Sequence, residues 1–275
     1  MKMVEHSDMI KKGFQSPEAT QIMIEAERRA YADRAGHLGD PDFWNVPLKQ
    51  LSSEKYIANR MSDFTPGKAS KSADIKGGNI KESEQTTHIS IYDKDGNMVS
   101  ITTTLNGGYG SKTVIKGAGF LMNNEMDDFS AKAGSPNLYG LIGSKANEIQ
   151  PNKRMLSSMT PTIVEENGQL KMVVGTPGGA TIITSVFQVV LNTLEMGMNM
   201  QEAVEYPRFH HQWMPDKITA EPKRFSDEQL NRLQMKGYTF TPVSAIGLVE
   251  GILVLPSGKL QGGADSRGDD TVSAY

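Results

Sequence analysis

The chain of 275 residues contains no cysteine, which excludes disulfides, thiolate catalysis and cysteine-ligated zinc together. A basic excess is also missing: 29 Lys and Arg stand against 32 Asp and Glu, for a formal net charge of -3. Without a positive stripe for phosphate backbones, nucleic acid is not an expected ligand, and small molecules fit better. No stretch approaches the ~18 apolar residues of a membrane span. The start, Met1-Lys2-Met3-Val4-Glu5-His6-Ser7-Asp8, has no apolar segment of the kind that marks an export signal. The expectation is a chain with neither span nor signal as written. What remains is ordinary globular material, 37% apolar and 22% charged, long enough for one large domain or two small ones around a buried core.

Ser16-Pro17-Glu18 reads as a helix start, with a capping hydroxyl and a proline where a missing N–H does no harm. Ala19, Ile22, Met23, Ala26 and Ala30 follow at helical spacing, which predicts an amphipathic helix that Gly36 stops. Asp40-Pro41-Asp42 marks a turn. From about Asp63 to Gln85 the composition shifts to Lys, Ser, Gly and Glu, and this predicts an exposed, mobile linker between residues 1–62 and 86–275. Where the linker stops a hairpin begins: His88 to Tyr92 alternates, Asp95-Gly96 turns, and Met98 to Thr104 returns. Lys171 to Val174 reads as a strand that runs through Gly175-Thr176-Pro177-Gly178-Gly179 into a helix from about Thr181 to Glu195. Ser226-Asp227-Glu228-Gln229 matches a capping box, and Gly251 to Leu260 a hairpin turning at Pro256-Ser257-Gly258. Helices and hairpins are mixed.

Chemistry points first to the junction Glu84-Gln85-Thr86-Thr87-His88. A threonine hydroxyl is a weak nucleophile unless a base stands beside it. If the peptide bond before Thr86 were cut, its new α-amine, with a pKa of about 7.7–8.0, would serve as that base. Taken alone, the junction reads as the lead-in to a strand; the motifs around it change that judgement.

These motifs are Gln85-Thr86-Thr87-His88, Asp93-Lys94-Asp95-Gly96-Asn97, Thr104-Leu105-Asn106, Asn123-Asn124-Glu125-Met126-Asp127-Asp128-Phe129, Leu156-Ser157-Ser158-Met159-Thr160-Pro161-Thr162, Gly175-Thr176-Pro177-Gly178-Gly179 and Pro207-Arg208-Phe209-His210-His211-Gln212-Trp213. In this order the chain closely resembles the small subunit of γ-glutamyltransferases (γ-glutamyltranspeptidases, glutathione hydrolases). Glu25 to Arg34 and Leu38-Gly39-Asp40-Pro41-Asp42 resemble the end of that family's large subunit. The resemblance implies an α+β fold, the four-layer αββα sandwich of N-terminal-nucleophile hydrolases, incomplete here. It implies a zymogen that cuts itself autocatalytically between Gln85 and Thr86, after which Thr86 attacks the γ-glutamyl amide of glutathione and passes the glutamyl group to water or to an amino-acid or peptide acceptor. No metal or organic cofactor is implied, and the family suggests a periplasmic or extracellular site.

Carried over residue by residue, the resemblance has Thr104 orient the Thr86 hydroxyl. Asn106, Glu125 and Asp128 hold the donor α-amino group, for which two carboxylates and a neutral acceptor are suitable partners. Ser157 and Ser158 hydrogen-bond the donor α-carboxylate. Gly178 and Gly179 form an oxyanion hole, where a strand-loop-helix context aims N–H groups at an anion. Tyr139, in the glycine-flanked segment Ala133 to Ser144, belongs to a lid loop. Family precursors carry a long N-terminal region before the helix at Ser16, including an arginine for the donor α-carboxylate, and that region is missing here.

Other readings of the same residues are available. Thr104 closes a β-rich strand; the Glu125/Asp127/Asp128 cluster can be a solvated acidic loop or weak cation site, though it lacks the oxygen spacing of a calcium loop. The glycine loops meet no phosphate-binding fingerprint, since at Gly110-Ser111-Lys112-Thr113 the lysine follows serine. Adjacent His210 and His211 point apart in extended backbone and are read as structural, with metal binding second. For the whole chain, the alternatives are a truncated non-catalytic relative and a β-lactam side-chain acylase of the same fold.

Overall fold

The chain folds as α+β. Short helices α1 (Lys2–Glu5) and α2 (Met9–Lys12) precede the long α3 (Pro17–His37), then α4 (Leu48–Leu51) and α5 (Glu54–Arg60). The hairpin β1 (Thr86–Tyr92) and β2 (Met98–Thr104) follows, then β3 (Thr162–Glu166), β4 (Gln169–Gly175), α6 (Thr181–Leu194) and α7 (Met200–Glu205). The remainder holds β5 (Phe209–His210), β6 (Ile218–Ala220), α8 (Asp227–Met235), β7 (Phe240–Pro242), β8 (Glu250–Val254) and β9 (Leu260–Gly263). The computed structural model describes residues 1–275 except His6, 76–85, Ala133, Pro136, 138–140 and Tyr275. It divides into two compact units, Met1–Glu82 with Met126–Ser157 and Phe209–Val243, and Ser83–Glu125 with Ser158–Arg208 and Ser244–Tyr275.

In the first unit, Ser16 caps α3 by accepting the Ala19 N–H at 3.0 Å, with Pro17 at the first helical position. Two expectations for this helix need correction. It runs past Gly36 to His37, and it is not amphipathic, because Glu25, Glu27, Arg28 and Arg29 are buried along with its apolar residues. Burial of Glu25, Arg28 and Arg29 is tolerable because they are paired. Glu25 lies 2.5 Å from Arg29 and 3.5 Å from Arg28, and accepts the Tyr238 hydroxyl at 2.8 Å; Arg28 also pairs with Asp216. Glu27 accepts the His211 N–H at 3.0 Å, and burial holds its carboxyl well above the usual carboxylate range.

The same helix also makes hydrogen bonds to residues 63–75, in the expected linker. Gln21 donates to the carbonyls of Thr65 (3.1 Å) and Lys68 (2.9 Å) and accepts the Gly67 N–H (3.0 Å). Glu25 accepts the Ser70 N–H at 3.1 Å, Asp216 the Ser72 N–H at 2.6 Å, and the Trp213 indole donates to the Ile75 carbonyl at 2.5 Å. Most of these residues are exposed, while their backbone supplies partners to buried side chains. The rest of the expected linker, 76–85, lies outside the described residues.

In the second unit, β3-β4-β8-β9 form an antiparallel sheet. Alternation sets its two faces. Met172 and Val174 of β4 and Leu253 of β8 join Val186, Val189, Val190, Met200 and Val204 in a buried cluster, so α6 and α7 cover one face. Against the other lies the β1-β2 hairpin: the Ser100 hydroxyl donates to the Val174 carbonyl at 3.1 Å, and the His88 ring sits against Gly175. Hairpin, sheet and helices thus form three successive layers. The outer face of the hairpin is apolar and uncovered, with Ile89, Ile91, Val99 and Ile101 at 49%, 48%, 45% and 51% exposure.

Candidate functional site

Thr86 is the first residue of β1 and pairs across the ladder with Thr104, the last of β2. Both side chains lie on the hairpin face that carries His88 and Thr102, because residues directly opposite point the same way. The Thr86 hydroxyl donates to Thr104 Oγ1 at 3.2 Å, and the Asn106 N–H donates to that oxygen at 2.8 Å. Two donors on one oxygen fix the Thr104 side chain and give the Thr86 hydroxyl a defined direction. Asn106 is buried with φ at 72°, a left-handed position that asparagine tolerates, and its Nδ2 donates to the Asn124 carbonyl at 3.2 Å. Thr86, Thr87, Thr103, Thr104, Leu105, Gly107 and Tyr109 line a cavity of about 350 Å³ beside the strand end.

Strand β4 ends at Gly175 and leads into Gly178 and Gly179, whose φ values are 139° and 54°. The Gly178 carbonyl accepts the Thr181 N–H at 3.0 Å and the Thr181 hydroxyl at 2.7 Å, which turns the chain into α6. A Cβ on Gly178 would stand 2.7 Å from Thr181 Oγ1 and 3.3 Å from the Gly247 Cα. Glycine is therefore required twice over, by space and by φ. Among the described residues, no acceptor meets the N–H of Gly178 or of Gly179. N–H groups at the start of a helix are of a kind suited to meet negative charge.

Glu125 and Asp128 bound a single 3-10 turn, Glu125–Asp128. Burial raises the Glu125 carboxyl above its ordinary pKa, and its N–H is held by Asn123 Oδ1 at 3.0 Å. In the first unit, the Asp128 carbonyl accepts the Asn147 side chain at 2.7 Å, and its carboxylate accepts Asn137 Nδ2 at 3.4 Å. The Ser157 carbonyl accepts Arg34 Nη2 at 3.3 Å, as does that of Leu156. The Ser158 carbonyl accepts the Thr160 hydroxyl at 3.0 Å. Gln85 and Tyr139 lie outside the described residues.

Two residues received no role from the sequence. Arg34 is buried, its guanidinium pKa lowered by desolvation against the pull of Tyr31 and Asp128; the signal for it was its place at the end of the Glu25 to Arg34 stretch that resembles the family's large subunit. His88 is buried within the hairpin, where strand alternation alone would have put it on the Thr86 face. His210 and His211, read as structural, are both buried. His210 Nε2 stands 2.6 Å from Gln212 Oε1, His211 Nδ1 accepts the Trp213 N–H at 3.1 Å, and burial lowers both rings to about 4.

Known proteins bear directly on this arrangement. The gamma-glutamyltranspeptidase family model matches residues 1–275. The Escherichia coli (strain K12) glutathione hydrolase proenzyme is 48% identical over 276 residues, covering 100% of this chain and 47% of its own length. The chain therefore spans about half the length of the curated relatives it matches. A solved Helicobacter pylori gamma-glutamyltranspeptidase is 50% identical with a TM-score of 0.65, over 66% of this chain and 100% of that one. Cephalosporin acylase from Bacillus halodurans has a TM-score of 0.77 at 26% identity, over 100% of this chain and 49% of that one. The α+β fold is thus the N-terminal-nucleophile hydrolase fold these structures share, and the higher identities lie with the glutathione hydrolases rather than with the acylase. Matched from its first residue to its last, the chain belongs to the γ-glutamyltranspeptidase family.

Proposed function

We propose that this chain carries the γ-glutamyl-transfer machinery of a glutathione hydrolase, with Thr86 as nucleophile after self-cleavage at Gln85-Thr86. The observation that carries the reading is the hydroxyl pair at the strand end: Thr86 Oγ1 donates to Thr104 Oγ1, itself held by the Asn106 N–H. Cleavage would free the Thr86 α-amine, which takes the hydroxyl proton as Oγ1 attacks the γ-carbonyl carbon. The carbonyl oxygen becomes an oxyanion facing the N–H groups of Gly178 and Gly179. When the C–N bond breaks, the leaving amine, such as that of cysteinylglycine, carries off the proton and Thr86 keeps the glutamyl group as an ester. Water or the amine of an acceptor amino acid or peptide then attacks the ester carbonyl, and the proton returns to Thr86.

Asn106, Glu125 and Asp128 serve the donor α-ammonium in this reading, Ser157 and Ser158 its α-carboxylate, and Tyr139 the lid. The N-terminal region known from relatives supplies an arginine to that carboxylate, and the enzyme works in the periplasm or outside the cell. Supporting the reading are the order of the motifs and the 48% identity to a glutathione hydrolase proenzyme. The test is turnover of a γ-glutamyl anilide by the chain joined to that N-terminal region, with Thr86→Ala as control. Anilide turnover retained by Thr86→Ala would sink the assignment.

A further inference from the structure

His88 has no part in the chemistry above, yet its ring stands between the nucleophile strand and the strand leading to the glycine loop. It is the second residue after Thr86 on the same hairpin face, and its ring is buried. Nδ1 lies 2.8 Å from Thr102 Oγ1, and Nε2 lies 3.0 Å from Ser90 Oγ. Ser90 Oγ also lies 3.4 Å from the Glu250 carbonyl of β8. Each ring nitrogen thus has a hydroxyl partner, one for the N–H of a neutral imidazole and one for its bare nitrogen. Burial keeps this ring neutral, with its pKa lowered to about 4.

Across the ring stands Gly175, the last residue of β4. A Cβ there would lie 2.1 Å from His88 Cε1 and 2.5 Å from each ring nitrogen. Gly175 has no positive φ to explain it. The glycine is there because the ring fills the space a side chain would use. Imidazole and missing side chain form one fitted contact, three residues before Gly178 on one strand and two after Thr86 on the other.

We propose that His88 is a positioning residue: its neutral ring, wedged against Gly175 and fixed by Thr102 and Ser90, sets the spacing between the strand that presents Thr86 and the strand that presents the Gly178-Gly179 loop. His88 makes no hydrogen bond to Thr86 and moves no proton. A misplacement of about 1 Å between nucleophile and oxyanion donors costs about a hundredfold in rate. The wedge therefore acts on the chemical step and leaves donor recognition alone.

This inference rests on the γ-glutamyl-transfer reading for its kinetic readout, and has a second readout that does not. In the chain joined to its N-terminal region, His88→Ala lowers kcat for a γ-glutamyl anilide about tenfold to a hundredfold with KM nearly unchanged. The alkaline and acid limbs of the pH profile stay in place, and His88→Gln, which keeps a donor and an acceptor, recovers part of the loss. Gly175→Ala lowers kcat when His88 is present and costs little more when it is placed on His88→Ala, because the ring it strikes is gone. Full kcat in His88→Ala, a loss carried by KM, a displaced pH limb, or additive effects of the two substitutions would each overturn the proposal. The independent readout is the nitrogen-15 shift of the ring in residues 1–275. The wedge requires a neutral ring down to about pH 5, perturbed by Gly175→Ala. A ring titrating near 6.5, or one that Gly175→Ala leaves unperturbed, contradicts it even if the parent enzyme is active. A parent without turnover but with the required ring state counts against the γ-glutamyl reading and not against the wedge.

Discussion

Thr86 and Thr104 face each other as a directly paired couple at the open end of the β1-β2 ladder, their hydroxyl oxygens 3.2 Å apart. Antiparallel pairing alone puts the two side chains on one face, and the Asn106 N–H then fixes the Thr104 oxygen. This relationship yields the first expectation. Thr104→Ala leaves the Thr86 hydroxyl free to rotate, so kcat should fall roughly tenfold or more without reaching the level of Thr86→Ala. Thr104→Ser, which keeps the oxygen, should retain most of the rate. Equal rates for the alanine and serine variants in a stopped assay would show that the hydroxyl pair is incidental.

Donor selectivity supplies the second. If Glu125 and Asp128 pair with the donor α-ammonium, removing one partner of a desolvated charge pair costs on the order of 2–5 kcal/mol. Asp128→Ala should weaken use of γ-glutamyl donors by orders of magnitude, while a donor lacking the α-amine loses little. Comparing kcat/KM for the two donors decides it, and equal losses on both would remove Asp128 from this role.

A third expectation concerns pH and stability in the second unit. Burial first, and then the carboxylates of Asp270 and Asp265, push Glu250 up to about 7 from its ordinary 4.5. The unfolded chain loses this proton near 4.5 and the folded chain near 7, so between these values the unfolded state binds fewer protons. Its stabilising contribution is complete below about pH 4.5 and is lost as pH rises through 7. Melting curves from pH 4.5 to 7.5 should show the difference in Tm between the parent and Glu250→Gln changing steadily across that window. A constant offset would mean that Glu250 ionises normally.

Much of this was legible in the sequence because the signals were local. The Ser16-Pro17 cap, the 226–229 capping box and the two-residue alternation from Thr86 to Thr104 each specify their element within a few residues. The family was legible through the order of the motifs along the chain. What could not be read depended on distant partners. Charged residues on α3 suggested a solvated face, but their counter-ions Asp63 and Asp216 lie far along the chain. Residues 63–75 looked like linker because the side chains of Gln21, Glu25 and Trp213 that hold their backbone cannot be inferred from the segment itself. Gly175 read as part of a glycine loop; only the fold reveals that its missing side chain makes room for His88.

The fourth expectation is that residues 1–275 alone turn over little γ-glutamyl anilide. Ile89, Ile91, Val99 and Ile101 form an uncovered apolar face on the hairpin that presents Thr86, and such a face favours association. If Ser157 and Ser158 hold the donor carboxylate, doing so without a bidentate arginine also positions it less well. Light scattering and the anilide assay, before and after the N-terminal region is joined, should show association falling and turnover appearing together. Efficient turnover by the short chain overturns this expectation.

The central claim, that Thr86 becomes the N-terminus and carries the glutamyl group, is tested most directly by mass spectrometry. The chain joined to the N-terminal region is incubated with a γ-glutamyl donor, quenched in acid and digested. A small fragment beginning at Thr86, with one γ-glutamyl ester on that residue, is expected, and is absent from Thr86→Ala. An intact Gln85-Thr86 bond in an enzyme that turns over donor, or an acyl group on any other residue, would contradict it.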